Sequence, residues 1–472
     1  MADTRLERDP LGELAVPAAA LYGVQTMRAT QNFPISGLAP LPAFVEAVVH
    51  IKKAAAQVHK ETGRLEPTLA DAIIRAADEV LAGQHREHFV VDVYQAGAGT
   101  SHNMNCNEVL ANRANELLGG RRGEYKPVHP NDHVNMAQST NDVIPTAIRL
   151  GALLTLPKLL AALDGLAASF LDKGTAFDHI LKSGRTHLQD ATPIRLGQEF
   201  TAYGHTVQRN RARLERAADD LRDLGIGGTA VGTGLNAEPR YPALIVKYLQ
   251  QNTKQQLREG ADRVQLMQSL GDAAAMSGAL RACAVDLAKI ASDLRLLASG
   301  PRTGFAEIVL PAVQPGSSIM PGKVNPSIAE MVNQVCYQVL GCDQTIALSA
   351  EAGQLELNVM MPVVAHNLLF AIGILGNAVR VLDERCVRGL EADERMCAHW
   401  LDRSPAIVTA LAPKIGYAEA AKLAKEAIAR NETVRQLVQE KGLLKGKELD
   451  EVLDYRKMTE LGVPGEGVPG GG

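Results

Sequence analysis

Apolar residues recur at three- and four-residue spacing over residues 44–62 and again over 69–82, which predicts two amphipathic helices. Further helical runs are read at 103–118, from near Ile144-Pro145-Thr146 onward, and at 196–221. No proline lies between Pro242 and Pro301, so residues 262–299 are expected as one helix of about 57 Å at 1.5 Å per residue. Residues 328–360 support a second long helix and 363–390 a third, with a kink at Pro362. Charge is sparse within 273–284 and 331–340, which predicts burial on several faces and therefore self-association. From about Glu394 the pattern shortens to runs at 396–401, 404–411, 417–430 and 433–441, a compact group of short helices. The first 42 residues, rich in Pro, Gly and Asn, are read as an irregular arm with little helix, and 463–472 as a flexible tail.

Composition narrows the class. A chain of 472 residues with 46% hydrophobic and 4% aromatic residues is an ordinary globular protein favouring packed helices over sheets. That length implies about two to four domains. The net charge of −4 gives no reason to expect nucleic acid or a membrane surface as partner. No run of eighteen apolar residues occurs, and the N-terminal segment is charged. Six cysteines without CxxC spacing suit core thiols in a reducing compartment, so a cytoplasmic location is expected. His85 and His88 lie three apart, yet without HExxH they are read as solvent-facing turn residues rather than metal ligands.

Four polar clusters carry the candidate chemistry. Gly97-Ala98-Gly99-Thr100-Ser101 places two hydroxyls before a helical run, where capping and ligand binding use the same unpaired N–H groups. Ser139-Thr140-Asn141 stands just before the run that starts near Ile144, again at a helix entrance. Ser183-Gly184-Arg185-Thr186-His187-Leu188-Gln189-Asp190 contains the only histidine inside a hydroxyl-rich cluster. The glycine-rich stretch 225–234 follows a helix and lacks GxGxxG spacing, so it is a connector and not a dinucleotide site.

The fourth cluster is Gly316-Ser317-Ser318-Ile319-Met320-Pro321-Gly322-Lys323-Val324-Asn325-Pro326. Two glycines and two prolines forbid a regular element, so this is a loop, and its functionality is two hydroxyls, an amine and an amide. Asn325-Pro326-Ser327 is expected to cap the next helix, which sets Lys323 beside a helix N-terminus and makes an anion site. Five residues separate Gly316 from Gly322-Lys323, and Val324 stands where Ser or Thr would hold magnesium, so a P-loop is excluded.

This loop resembles the signature of the aspartase/fumarase superfamily of lyases, which break a C–N or C–O bond and release fumarate. The resemblance covers the chain to about residue 445. It implies an all-α fold of three domains with a central long-helix bundle: 1–140, 141–393 carrying the loop 316–326, and 394–472. It also implies a homotetramer whose active sites are shared between subunits, a small dicarboxylate substrate, and no metal or organic cofactor. By the resemblance Ser317 is the general base, while Lys323, Asn325, Thr186 and His187 stabilise an enediolate. Thr100, Ser101, Ser139, Thr140 and Asn141 match substrate-binding positions, and Glu330 orients His187. Gly123-Glu124-Tyr125, Asn131-Asp132-His133, Thr140 and Glu351-Ala352-Gly353-Gln354-Leu355 resemble the branch that eliminates ammonia from L-aspartate. Val128-His129-Pro130, Asn112-Arg113-Ala114 and Gly228-Thr229-Ala230 resemble class II fumarases, which interconvert malate and fumarate. The same scaffold serves as a non-catalytic lens crystallin, but a scaffold has no use for Ser317, Lys323, Asn325 and His187 together.

Overall fold

The computed structural model describes residues 3–465 and is built mainly of helices, as the spacing predicts. The arm is ordered, which the sequence did not suggest: β1 Thr4–Asp9 pairs antiparallel with β2 Gly12–Pro17, and α1 spans Val24–Asn32. Two buried carboxylates from distant positions explain it. Glu108 accepts from the backbone N–H of Gly23, Gln25 and Thr26 and from the Thr26 hydroxyl, while Glu7 accepts from Val24 N–H. The opening amides of a helix have no partner inside it, and here two glutamates supply one.

The next helices follow the periodicity closely: α2 Pro42–Glu61, α3 Pro67–Leu81 and α4 Thr100–Leu117. α5 Thr140–Ala176 begins four residues earlier than the apolar pattern indicates, so Thr140 and Asn141 lie in its first turn rather than before it. The hairpin of β3 Leu181–Thr186 and β4 Gln189–Arg195 follows, antiparallel with a bulge between Ser183 and Arg185. Then come α6 Leu196–Asp220 and α7 Tyr241–Thr253, which packs on α2.

The helix expected over 262–299 is broken. α8 Arg263–Gln268 ends at Ser269, which is extended at φ −107° and ψ 133°, and α9 runs Gly271–Leu297. The Ser269 hydroxyl accepts Gly271 N–H, a local bond that competes with the helix ladder. α10 Ser327–Glu351 stops short of the expected residue 360, because the Asn358 amide donates to the last-turn carbonyls of Ser349 and Ala350. α11 Met361–Leu382 and α12 Glu394–Arg403 precede the short helices α13 Ala412–Ile415, α14 Tyr417–Arg430, α15 Val434–Glu440 and α16 Gly446–Val452. Of the tail read at 463–472, residues 466–472 lie outside the described part.

Two compact units emerge. One comprises Met1–Ala161, Asn210–Val285 and Val335–Asn377, with Val48, Ile51, Ile73, Val109, Ile144 and Ile148 in its core. The other comprises Ala162–Arg209, Asp286–Gln334 and Ala378–Gly472, with a core of Leu401, Ile407, Leu411, Leu423, Leu437 and Val452. A second cluster there stacks Phe170, Phe177, Phe200 and Tyr203 edge to face or tilted, with ring centroids 5.4 to 6.1 Å apart. Residues Thr140–Ala176 and Met361–Val387 are apolar and long enough for a membrane span, yet half of each apolar window is already buried in the protein.

Candidate active site

In the first unit, the α4 and α5 entrances meet. Gly99, at φ 89°, precedes Thr100, and a Cβ placed there would stand 3.1 Å from Ile144 Cγ1, so only glycine lets α4 start this close to α5. The Asn103 amide donates to Thr140 Oγ1 at 3.3 Å, tying the two helices together one turn in. Thr100 is exposed at the rim, Ser101 is buried, and Ser139, Thr140 and Asn141 are half-buried. The Asn141 amide donates to the Ala230 carbonyl at 2.8 Å, so the glycine-rich stretch set aside as a connector borders this site.

Beneath it lies a charge that the sequence reading missed. Lys52 on α2 is fully buried, and its amine donates to Asn135 Oδ1 and Gln138 Oε1, both at 2.9 Å. Asn135 Oδ1 also accepts from the amides of Asn103 and Asn107. Burial pulls the Lys52 amine down to about 8, opposed by Cys106 and Asp142. Val45, Val48, Lys52, Ala55 and His59 fall on one helical stripe, so the sequence shows a lysine among apolar positions but not that it is buried. His102 on α4 is likewise fully buried and pulled down to about 3, its ring stacked on Phe44 at 4.7 Å.

The second unit carries the other clusters. Thr186 and His187 stand at the tip of the β3–β4 hairpin. His187 and Leu188 form its two-residue turn with φ of 56° and 58°, the left-handed pattern that matches strand twist. Both are exposed. His187 opens on a cavity of about 510 Å³ lined also by Arg185, Glu199, Tyr203 and Asp293. Below the tip, the buried Lys182 pairs with Glu199 at 2.9 Å and Glu307 at 3.3 Å, and Arg185 binds Glu307 at 2.9 Å while lying 4.1 Å over the Phe305 ring. This network fixes the strand that presents His187.

The signature loop is closed on itself. Gly316 N–H donates to Lys323 O at 2.8 Å and the Asn325 amide donates to Gly316 O at 2.6 Å. A Cβ on Gly316 would fall 2.4 Å from the Lys323 carbonyl oxygen, which requires glycine. Asn325 therefore braces the loop instead of capping α10, whose first amide bond, from Glu330 N–H, is accepted by Pro326 O. The Ser317 hydroxyl oxygen accepts from the N–H of Met320 at 3.0 Å and of Ile319 at 3.2 Å. Lys323 is exposed and, among the described residues, has no acidic partner. Glu330 sits in the first turn of α10, and among the described residues no hydrogen bond joins it to His187.

The turn at 85–88 is less open than its sequence indicates. His85 and His88 are half-buried, His85 Nε2 lies 3.2 Å from Glu79, and the ligand atoms of His85, Glu87 and His88 lie within 4.8 Å of one another. All six cysteines are buried and none forms a disulfide, and burial pushes Cys106, Cys336, Cys386 and Cys397 up to about 12, which leaves those four inert.

Residues 12–341 match a family model described as Lyase, and residues 407–460 match one described as Fumarase C C-terminus. The chain is 47% identical to an aspartate ammonia-lyase of Bacillus subtilis (strain 168), over 98% of this chain and 97% of that one. It is 50% identical to a class II fumarate hydratase of Halobacterium salinarum, over 98% of each. Among solved structures, a fumarate lyase:delta crystallin from Brucella melitensis bound to cobalt is 48% identical, with a TM-score of 0.93, covering 97% of this chain and all of that one.

Proposed function

The chain belongs to the lyase family whose model spans residues 12–341, and from that premise we propose that it eliminates ammonia from L-aspartate, reversibly, to give fumarate. The elimination chemistry rests on the Ser317 hydroxyl, held by two backbone N–H groups in a loop whose lysine has no acidic partner among the described residues, and the choice of ammonia as leaving group rests on the ammonia-lyase relatives. A free alcohol is too weak an acid to serve as an alkoxide at neutral pH. Two N–H donors and a nearby ammonium favour its charged form, and loop closure over substrate removes the competing water.

Ser317 takes the proton from C3, and the electron pair moves into the adjacent carboxylate as an enediolate with a second negative charge. Lys323, Asn325, Thr186 and His187 stabilise that charge, with Glu330 orienting His187. Collapse of the enediolate forms the C2–C3 double bond and expels nitrogen as ammonia. Thr100, Ser101, Ser139, Thr140 and Asn141 hold the carboxylates and the amino group at the paired α4 and α5 entrances, where helix N-termini favour anions. The full pocket is assembled in a homotetramer from more than one subunit.

The second reading is fumarate hydration, favoured by the Halobacterium salinarum relative and by Val128-His129-Pro130. Both reactions share the base and the enediolate and differ in the leaving group. Fumarate absorbance followed with L-aspartate and with malate separates them. Faster turnover of aspartate is expected, and faster turnover of malate would replace the ammonia-lyase reading with the hydratase one.

A further inference from the structure

Asp142 follows the three residues assigned to substrate and is fully buried. Its carboxylate is held by backbone amides from two segments. Oδ1 accepts Ser139 N–H at 2.9 Å, and Oδ2 accepts both Gly227 N–H and Thr229 N–H at 3.0 Å. One side chain thus ties the α5 entrance to the turn at 225–230, and the Asn141 amide adds a second tie to Ala230 O. That turn is strained. Thr229, β-branched, sits at φ 55°, and its hydroxyl is buried without a partner. Such a conformation persists only where its surroundings hold it, and two N–H groups aimed at one oxygen form a nest that an anion fills.

We propose that Asp142 is a positioning residue: its carboxylate docks the 225–230 turn against the α5 entrance and so fixes the Ser139, Thr140 and Asn141 donors in the orientation that receives a dicarboxylate. The proposal rests on the assignment of those three residues to substrate. The titratable groups facing Asp142 are the Lys52 amine on α2 and the Tyr241 phenol on α7, on which the His59 ring stacks. Burial raises the Asp142 carboxyl to about 6, opposed by its three amide bonds and Lys52. Because this lies above the ordinary 3.8, the ionised carboxyl costs stability, which declines as pH rises between the two values. As pH falls through about 6 the carboxyl protonates, its oxygens accept the three amide N–H groups less strongly, and the donors of the α5 entrance lose their register.

The test compares wild type and Asp142→Asn as full-length proteins, with KM and kcat measured between about pH 5 and pH 8. The expected wild-type KM rises below about pH 6, whereas Asp142→Asn shows a KM raised about tenfold and flat across that range, with kcat within about threefold. A variant that keeps the wild-type KM and its acid limb overturns the proposal. Should the variant fail to fold, a wild-type KM that stays flat through pH 6 overturns it alone. If wild type turns over neither aspartate nor malate, the functional reading falls, and amide hydrogen exchange decides the docking. Lower protection of Gly227 and Thr229 in wild type below pH 6, relative to the intrinsic exchange rate at each pH, supports it, and unchanged protection overturns it.

Discussion

Ser317 is the residue on which the proposed chemistry turns, and its contacts separate catalysis from stability. Among the described residues its side chain makes two local bonds, in an exposed loop, so Ser317→Ala removes little that holds the fold. Turnover is expected to fall by about a thousandfold or more, with a melting temperature within about 2 °C of wild type. Near-normal turnover in that variant would take the base role from Ser317. This residue, with Lys323 and Asn325, was legible in the sequence because the loop's chemistry and its breakers are contiguous. Lys52 and Asp142 were not, because a polar residue inside an apolar pattern declares its burial only once the neighbouring helices are in place. Asn325 shows the converse: its type and spacing fit a cap, and tertiary geometry sends its amide to Gly316 instead.

Elements divide in the same way. Helices α2, α3 and α14 follow from periodicity because each buries an apolar stripe, whereas α4 is buried on every face from Ser101 to Asn112. The β3–β4 hairpin escaped notice because Gly184, Pro193 and a bulge interrupt any alternation, and its turn uses His187-Leu188 where Asn-Gly is the usual signal. The structure thus mounts His187 on a hairpin tip. α1 was missed because its N-terminal partners, Glu7 and Glu108, come from elsewhere in the chain. Glu108→Ala strips four donors at once, and burial already raises its carboxyl. The variant is expected to lose roughly 3 kcal/mol in urea unfolding and to expose the arm to protease. Wild-type stability and protease resistance would show that α1 does not depend on that carboxylate.

At the scale of the whole molecule, the outward stripe of α10 is the clearest sign of a partner. Gln334, Tyr337, Gln338, Gly341, Gln344, Ala347 and Leu348 are exposed, with Tyr337 at 62% and Leu348 at 58%, and none is charged. A helix face meant for water carries charge, whereas this one suits the central bundle of the proposed tetramer. Sedimentation is expected to show a species of four 50.4 kDa chains, and Tyr337→Arg with Leu348→Arg to yield smaller, inactive ones. A doubly substituted protein that stays tetrameric would place the interface elsewhere. By itself the sequence determined the helical class, the signature loop and the family, because helical period and loop breakers act over a few residues. Only the tertiary structure decided where long helices break, which carboxylates cap α1, that a hairpin carries His187, and that Lys52 and Asp142 lie buried beside the α5 entrance. Each of these depends on desolvation or on hydrogen bonds between residues far apart in the chain, and neither leaves a mark on local spacing.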